Sequence, residues 1–424
     1  MKQGIVIQSE CKSKTINSTF HSTVLCTTLF LTATIPSPYY SAIFFIVLLA
    51  YIGSYNVKID NEFRYVLNPL IGMILCGAFF CINNDLYDSI KDAWYAAKAL
   101  MCLLMGYYLG RKITNQHIFF NILVYISSGL SLIYLSTLFI TEGQLDLESV
   151  SAIGGMPIFV AIAIPLLLFS NTGFVFKGNQ VLRLLIILTI SAAFIFSYSR
   201  TGIVALIIFI ASGMGLFNNL RKVLYLLILA AFLFFAISNY LPQIEVGNIS
   251  FFGKLQNSLV ELSFNNGSDR AEMITNWRGF EAYRAFIGFE DAQLLQQVFG
   301  QGWGANVDLG FSVEMSKDMN YQYLTILHNG YMHILTKYGL IGLGLYVLFL
   351  WRVIHKNSNI AIAFSFLRVE WLILGIGYIL VYTTLVISGI FNKSGLDSIL
   401  ILLGFAYGTT SFARLSKPAL KKNG

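Results

Sequence analysis

Residues 182–217 read LRLLIILTISAAFIFSYSRTGIVALIIFIASGMGLF, two apolar blocks (182–198 and 201–217) parted only by Ser199 and Arg200. A membrane-crossing helix needs roughly 17–25 predominantly apolar residues. A barrel strand would instead alternate apolar and polar over about ten residues, and these blocks are apolar on every face. The stretch therefore predicts a helical hairpin in a bilayer. Its link is so short that the Arg200 guanidinium has to sit at the membrane interface.

The same pattern recurs along the chain, giving twelve candidate spans: 20–35, 39–55, 66–83, 94–110, 117–140, 149–170, 182–198, 201–217, 222–240, 331–351, 370–391 and 396–412. The first is diluted by His21 and a string of Ser and Thr, and with Lys12 and Lys14 ahead of it resembles a signal peptide, but the turn from Pro36 to Pro38 suits a tight hairpin and it reads as an anchor helix. Of the 424 residues 56% are hydrophobic and 12% charged, where a soluble domain carries about 25% charged residues. The expected fold is all-α, a polytopic helical membrane protein of about twelve spans in one membrane domain over 1–424. Of five cysteines (Cys11, Cys26, Cys76, Cys81 and Cys102) none forms a C-x-x-C pair, so neither a disulfide nor a metal site is expected.

Twelve spans with both termini in the cytoplasm place 18 of the 28 Lys and Arg on the cytoplasmic side, eight on the outer side, and Lys98 and Lys337 within spans. The acidic residues divide the other way, 17 of 21 lying outside. The Lys and Arg bias is what sets the orientation of a membrane protein. The net charge of +7 thus belongs to the headgroups of the phospholipid bilayer and does not point to nucleic acid.

The long polar stretch 241–330 then falls on the outer face between the ninth and tenth spans, and a loop of that length is expected to carry function. Within it, Met273, Trp277, Phe280, Tyr283 and Ile287 recur at helical spacing, predicting a helix over Asp269 to Gln297, and Gly300-Gln301-Gly302-Trp303-Gly304 breaks it. No internal repeat is visible, which lowers the case for a transporter.

On an acidic outer face each arginine is an exception. Arg200 reads either as an interfacial anchor or as a diphosphate clamp, because a guanidinium offers a planar fork of donors to phosphate oxygens. Arg278 and Arg284 each lie three residues from Glu281, which favours surface ion pairs over a phosphate role. Arg270, in Asn266-Gly267-Ser268-Asp269-Arg270, stands at a predicted helix start, where backbone N–H groups favour an anion. His328 lies where the loop re-enters the membrane, and it is either a hydrogen-bonded structural residue or a general base, since imidazole titrates near neutral pH. His333 is the weaker of the two histidines. Lys98 and Lys337 are unusual because ionisable groups in spans are costly and tend to face a cavity or snorkel. Asp146-Leu147-Glu148 is weak evidence for a metal, and the first outer hairpin at 36–38 has no acidic residue of the kind metal-dependent membrane glycosyltransferases place there.

Phe196-Ser197-Tyr198-Ser199-Arg200-Thr201-Gly202, Gly300-Gln301-Gly302-Trp303-Gly304, and His328-Asn329-Gly330-Tyr331 running into Tyr338-Gly339-Leu340-Ile341-Gly342-Leu343-Gly344 together resemble the O-antigen ligase and polymerase superfamily of the bacterial inner membrane. The H-N-x-Y motif with its Y-G-L-I-G helix is the more specific part; outside 196–346 the similarity is one of hydropathy. The resemblance implies a GT-C-like architecture and a metal-independent, inverting transfer of a glycan from undecaprenyl diphosphate to an acceptor glycan at the periplasmic face. No cofactor is implied, and a chain-length regulator protein is a partner to consider. It further implies Arg200 and Arg270, or Arg278 in place of the latter, as diphosphate ligands, and His328 as the base or hydroxyl-orienting group. Arg284, Lys98, Lys337 and Tyr331 are further candidates. Polymerase is favoured over ligase to the lipid A core, and a flippase of lipid-linked oligosaccharide is the reading from another class.

Overall fold

The computed structural model describes residues 19–35, 37–54, 58–113, 116–140, 156–169, 172, 174–176, 178–197, 199–218, 221–225, 228, 273, 276–316, 319–360, 369–391 and 396–421. They are mostly helical. Residues 19–34 form α1, followed by α2 (Ser37–Ser54), α3 (Asn61–Gly77), α4 (Leu86–Lys112), α5 (Gln116–Ile140), α6 (Met156–Leu168), α7 (Gln180–Ser197) and α8 (Arg200–Gly213). After these come α9 (Trp277–Glu290), α10 (Leu294–Phe299), β1 (Val307–Ser316), β2 (Met319–Leu324), α11 (Gly330–Ile360), α12 (Glu370–Val386) and α13 (Asp397–Lys421). Among the described residues, four helices, at Asn61–Asn83, His117–Ile140, Gln180–Ser197 and Gly330–His355, are long and apolar enough to cross a membrane, and five shorter apolar helices accompany them. Most of the expected ninth span, 222–240, lies outside the described residues.

Polar side chains start the helices where backbone N–H groups lack partners. Asp60 accepts from the Phe63 amide (2.7 Å), Asp85 from Asp88 (3.1 Å) and Ser199 from Gly202 (3.0 Å). The helices then pack as a bundle, with α13 along α4, α11 between α3 and α12, α6 between α5 and α8, and α8 against α12.

The α4–α13 seam is a small-residue crossing in which backbones touch. A Cβ added at Gly106 would lie 2.0 Å from the Ile401 carbonyl oxygen, and one at Gly404 would lie 2.0 Å from that of Leu103. Gly110 and Gly408, one turn on in each helix, repeat the contact at 2.3 Å. Such pairs let apolar helices associate where no hydrophobic force separates protein from lipid. Gly404→Leu should therefore lower stability by about 3 kcal/mol or more, because overpacking against backbone leaves nothing to yield. Gly129→Leu, where an added Cβ meets nothing within 4 Å, should be neutral. Thermal unfolding of the two variants in detergent checks this, and equal melting temperatures would refute the seam.

The same α4 carries two buried ion pairs among the described residues. Lys98 Nζ lies 3.0 Å from Asp397 Oδ2 at the start of α13, and the Tyr40 hydroxyl of α2 donates to that same oxygen. Lys337 of α11 pairs with Asp92. Both lysines are almost fully buried. The expectation that they face a cavity thus gives way to helix–helix pairing, and the reason is the cost of an uncompensated charge away from water. Breaking one partner in such a pair costs about 3–5 kcal/mol.

The polar stretch departs from the all-α expectation in holding an antiparallel β-hairpin, with Val307 opposite Leu324 and Asp308 opposite Tyr323. Val307 and Leu309 are buried with polar Asp308 between them, the two-residue period of a half-buried strand. The helix expected over Asp269 to Gln297 is divided: α9 ends at Glu290 and α10 begins at Leu294. Phe280, Leu309, Phe311 and Leu324 join α9 to the hairpin in one apolar cluster.

The glycine-rich turn at 300–304 fastens this polar stretch to the bundle. The helical path of α11 breaks at Gly339 (φ 67°). There Gln301 N–H donates to the Thr336 carbonyl (2.8 Å) and Gly302 N–H to the Lys337 carbonyl (3.1 Å). Gly339 and Gly300 touch backbone to backbone, since a Cβ at Gly339 would lie 2.3 Å from the Gly300 nitrogen. Trp303 N–H reaches the Gly77 carbonyl (2.8 Å), Asn84 Nδ2 donates to the carbonyls of Gln301 and Trp303 (2.8 Å each), and Gly304 N–H donates to Asp92 (2.7 Å). The turn thus binds α3, α4 and α11 at one end of the bundle.

Candidate functional site

Near that end lies His328, one of the residues singled out by the sequence. His328 occupies the last stretch before α11, with its backbone held on two sides. Its carbonyl accepts from Ser388 N–H (2.6 Å), while the Ser388 hydroxyl donates to the Leu327 carbonyl. Ser388 has φ 63°, the one positive value at a non-glycine residue among the described residues, a strained conformation of the kind found at functional sites. Asn329 caps α11, its Oδ1 accepting from Tyr331 N–H (3.0 Å) and Met332 N–H (3.2 Å). Gly330 lets the loop close on α12, because a Cβ there would meet the Thr384 carbonyl at 2.8 Å. The Tyr331 hydroxyl donates to the Val381 carbonyl (3.1 Å). Of the four residues in this motif, three therefore hold the loop and one presents an imidazole.

The partner of that imidazole is Glu281 of α9. The His328 Nδ1 lies 2.9 Å from Glu281 Oε2 and 3.2 Å from Oε1, and the His328 backbone N–H donates to Oε2 (3.1 Å). The carboxylate side chain is 2% exposed and the imidazole 47%. Burial therefore covers the carboxylate while part of the ring faces solvent.

Arg200 is the first residue of α8, behind the Ser199 cap. The two helices α8 and α12 run antiparallel, since Ser212 near the end of α8 donates to the carbonyl of Trp371 at the start of α12. This brings Arg200 toward the last turns of α12, where its charge and that of Arg278 both act on the Tyr382 hydroxyl. Arg278 stands one turn before Glu281 on α9. The Arg200–Tyr382–Arg278 group and the Glu281–His328 pair are thus joined through one helix.

The remaining candidates separate. Arg284 does not pair with Glu281; its Nε donates to the Asp308 carbonyl of β1 (3.0 Å). Lys98 and Lys337 are held in the buried ion pairs described above. His333 is buried against Phe391, ring centroids 5.4 Å apart. Arg270 lies outside the described residues. Sequence reading missed Glu281 as the partner of His328, having placed it in ion pairs with its helical neighbours, and it missed Tyr382. No local signal marks Tyr382, a tyrosine at the end of an apolar helix.

Guanidiniums suit anions by their planar fork of donors, and an imidazole backed by a carboxylate suits proton transfer. No curated protein matches the chain. Residues 184–347 match the model of a family described as O-antigen ligase, and the matched segment contains Arg200, Arg278, Glu281 and His328. Over this segment the chain is similar to the O-antigen ligase family, which supports the resemblance read from the sequence.

Proposed function

We propose that the protein is an inverting, metal-independent glycosyltransferase that polymerises undecaprenyl-diphosphate-linked oligosaccharide repeat units at the periplasmic face of the bacterial inner membrane. The observation that supports this reading is that α9 carries Arg278 one turn from Glu281, the partner of the partly exposed His328 imidazole. Diphosphate is a good leaving group once its charge is stabilised, so cations at the phosphates matter more than a general acid. In the proposed step the acceptor hydroxyl gives its proton to His328 as its oxygen attacks the anomeric carbon. The bond from that carbon to the diphosphate oxygen breaks on the opposite side, and undecaprenyl diphosphate leaves with the electron pair between Arg200 and Arg278. Arg270 is a further proposed ligand from the preceding loop. Back-side displacement inverts the anomeric centre.

This reading keeps one membrane domain of about twelve spans with both termini cytoplasmic and the stretch 241–330 periplasmic. A chain-length regulator is retained as a partner to test. The family description favours a second reading, ligation of the glycan to the lipid A core, by the same chemistry on another acceptor. A flippase is disfavoured, because Lys98 and Lys337 are engaged with Asp397 and Asp92. Deletion followed by electrophoresis of the surface glycan decides among these. Single repeat units on lipid A core are expected for a lost polymerase, and long chains retained on undecaprenyl diphosphate for a lost ligase. An unchanged glycan would refute both.

A further inference from the structure

We propose that Glu281 is the positioning residue of this site: its buried carboxylate selects the Nδ1–H tautomer of His328, leaving Nε2 bare as the proton acceptor. The inference rests on the transfer reading above for its consequence, but its geometry stands independently.

An ionised carboxylate accepts hydrogen bonds and donates none. With both Glu281 oxygens within 3.2 Å of Nδ1, the ring has to donate from Nδ1, and a neutral imidazole that is protonated there carries its lone pair on Nε2. The ring is also held in orientation. Glu281 Oε2 takes the His328 backbone N–H as well, and Ser388, just past the end of α12, grips the carbonyl of the same residue. Side chain and backbone are thus clamped from two distant segments of the chain.

Burial gives the carboxylate its energetic effect. At 2% exposure Glu281 has little water to screen it, and a buried anion is costly unless paired. Proton transfer from the acceptor hydroxyl to Nε2 turns the neutral ring into a cation against that anion. The attraction is therefore greater after proton transfer than before, which lowers the barrier and leaves ground-state binding unchanged. Glu281 remains ionised throughout, and the proton leaves from Nε2 to solvent after turnover. Because Arg278 is one turn away on α9, the helix that orients the base also sets its register to the anion site.

A purely structural tie between α9 and the 328 loop would need neither the tautomer nor the charge. Two measurements separate these roles. The first is the ¹⁵N spectrum of the full-length protein, labelled at its five histidines and recorded in nanodiscs at alkaline pH, with the His328 signal assigned by its loss in His328→Ala. The expected result is a protonated Nδ1 and a bare Nε2, and a protonated Nε2 would overturn the proposal. The second uses membranes containing Glu281→Gln, with lipid-linked oligosaccharide extracted from the deletion strain as donor. Here kcat should fall about 10–100-fold, as loss of an orienting partner typically does, with KM unchanged and with partial recovery in Glu281→Asp. Wild-type kcat in Glu281→Gln with an inactive His328→Ala would overturn the positioning role and leave the transfer reading standing. Activity retained in His328→Ala would instead remove the transfer reading, while the spectrum still reports on the tautomer.

Discussion

His328→Ala is expected to abolish chain extension, lowering kcat by about 10²–10⁴, the range contributed by a positioned general base. The loss should come without loss of protein. The imidazole is 47% exposed, so its removal empties no core. The loop's other ties do not use the ring: Ser388 N–H to the His328 carbonyl, Asn329 to the start of α11, and Glu281 to the His328 amide. The variant should therefore accumulate in the membrane at the wild-type level and display surface glycan of a single repeat unit. Electrophoresis of the glycan beside an immunoblot of the membranes makes the comparison. A normal ladder from the variant would remove His328 from the mechanism.

Arg200→Ala and Arg278→Ala should each lower kcat by about 10²–10³, the scale for losing one donor at a developing charge. The paired substitution should cost less than the sum of the two, because both guanidiniums are proposed to hold one diphosphate. Lysine should restore little at either position, since a point charge lacks the planar fork. Arg284→Ala supplies the contrast. That guanidinium supports the Asp308 carbonyl of the hairpin, so its loss should leave transfer within about threefold of wild type, a surface contact being worth under about 1 kcal/mol. Equal defects at Arg278 and Arg284 would show that charge on α9, and not the placement of Arg278, is what matters. Initial rates with extracted lipid-linked oligosaccharide read all four variants.

Much of the bundle was legible in the sequence because bilayer thickness imposes a length on apolar segments and charge imposes a side. The hairpin of 182–217 appears as α7 and α8 around Arg200, and Gly330 opens α11 where the tenth span was expected. The hairpin strands carry a two-residue apolar period from Val307 that was overshadowed by the helical pattern before it. The spacing Gly106 to Gly110 and Gly404 to Gly408 likewise contained the α4–α13 seam, but a small-residue repeat does not name its partner helix.

The sequence by itself determined a helical membrane bundle and marked Arg200 and His328 as exceptional, since a charge or imidazole at the end of an apolar run is costly and therefore conspicuous, while Arg270 stood out at a predicted helix start and Arg278 read as a surface ion pair. Only the tertiary structure decided their partners. Glu281 was one acid among several in a polar stretch until folding buried it against His328, 47 positions away. Lys98 and Lys337 looked available until Asp397 and Asp92 arrived from 299 and 245 positions away to pair with them. The energies of these groups depend on burial and on distances of about 3 Å, and those quantities arise only when segments far apart in the chain meet.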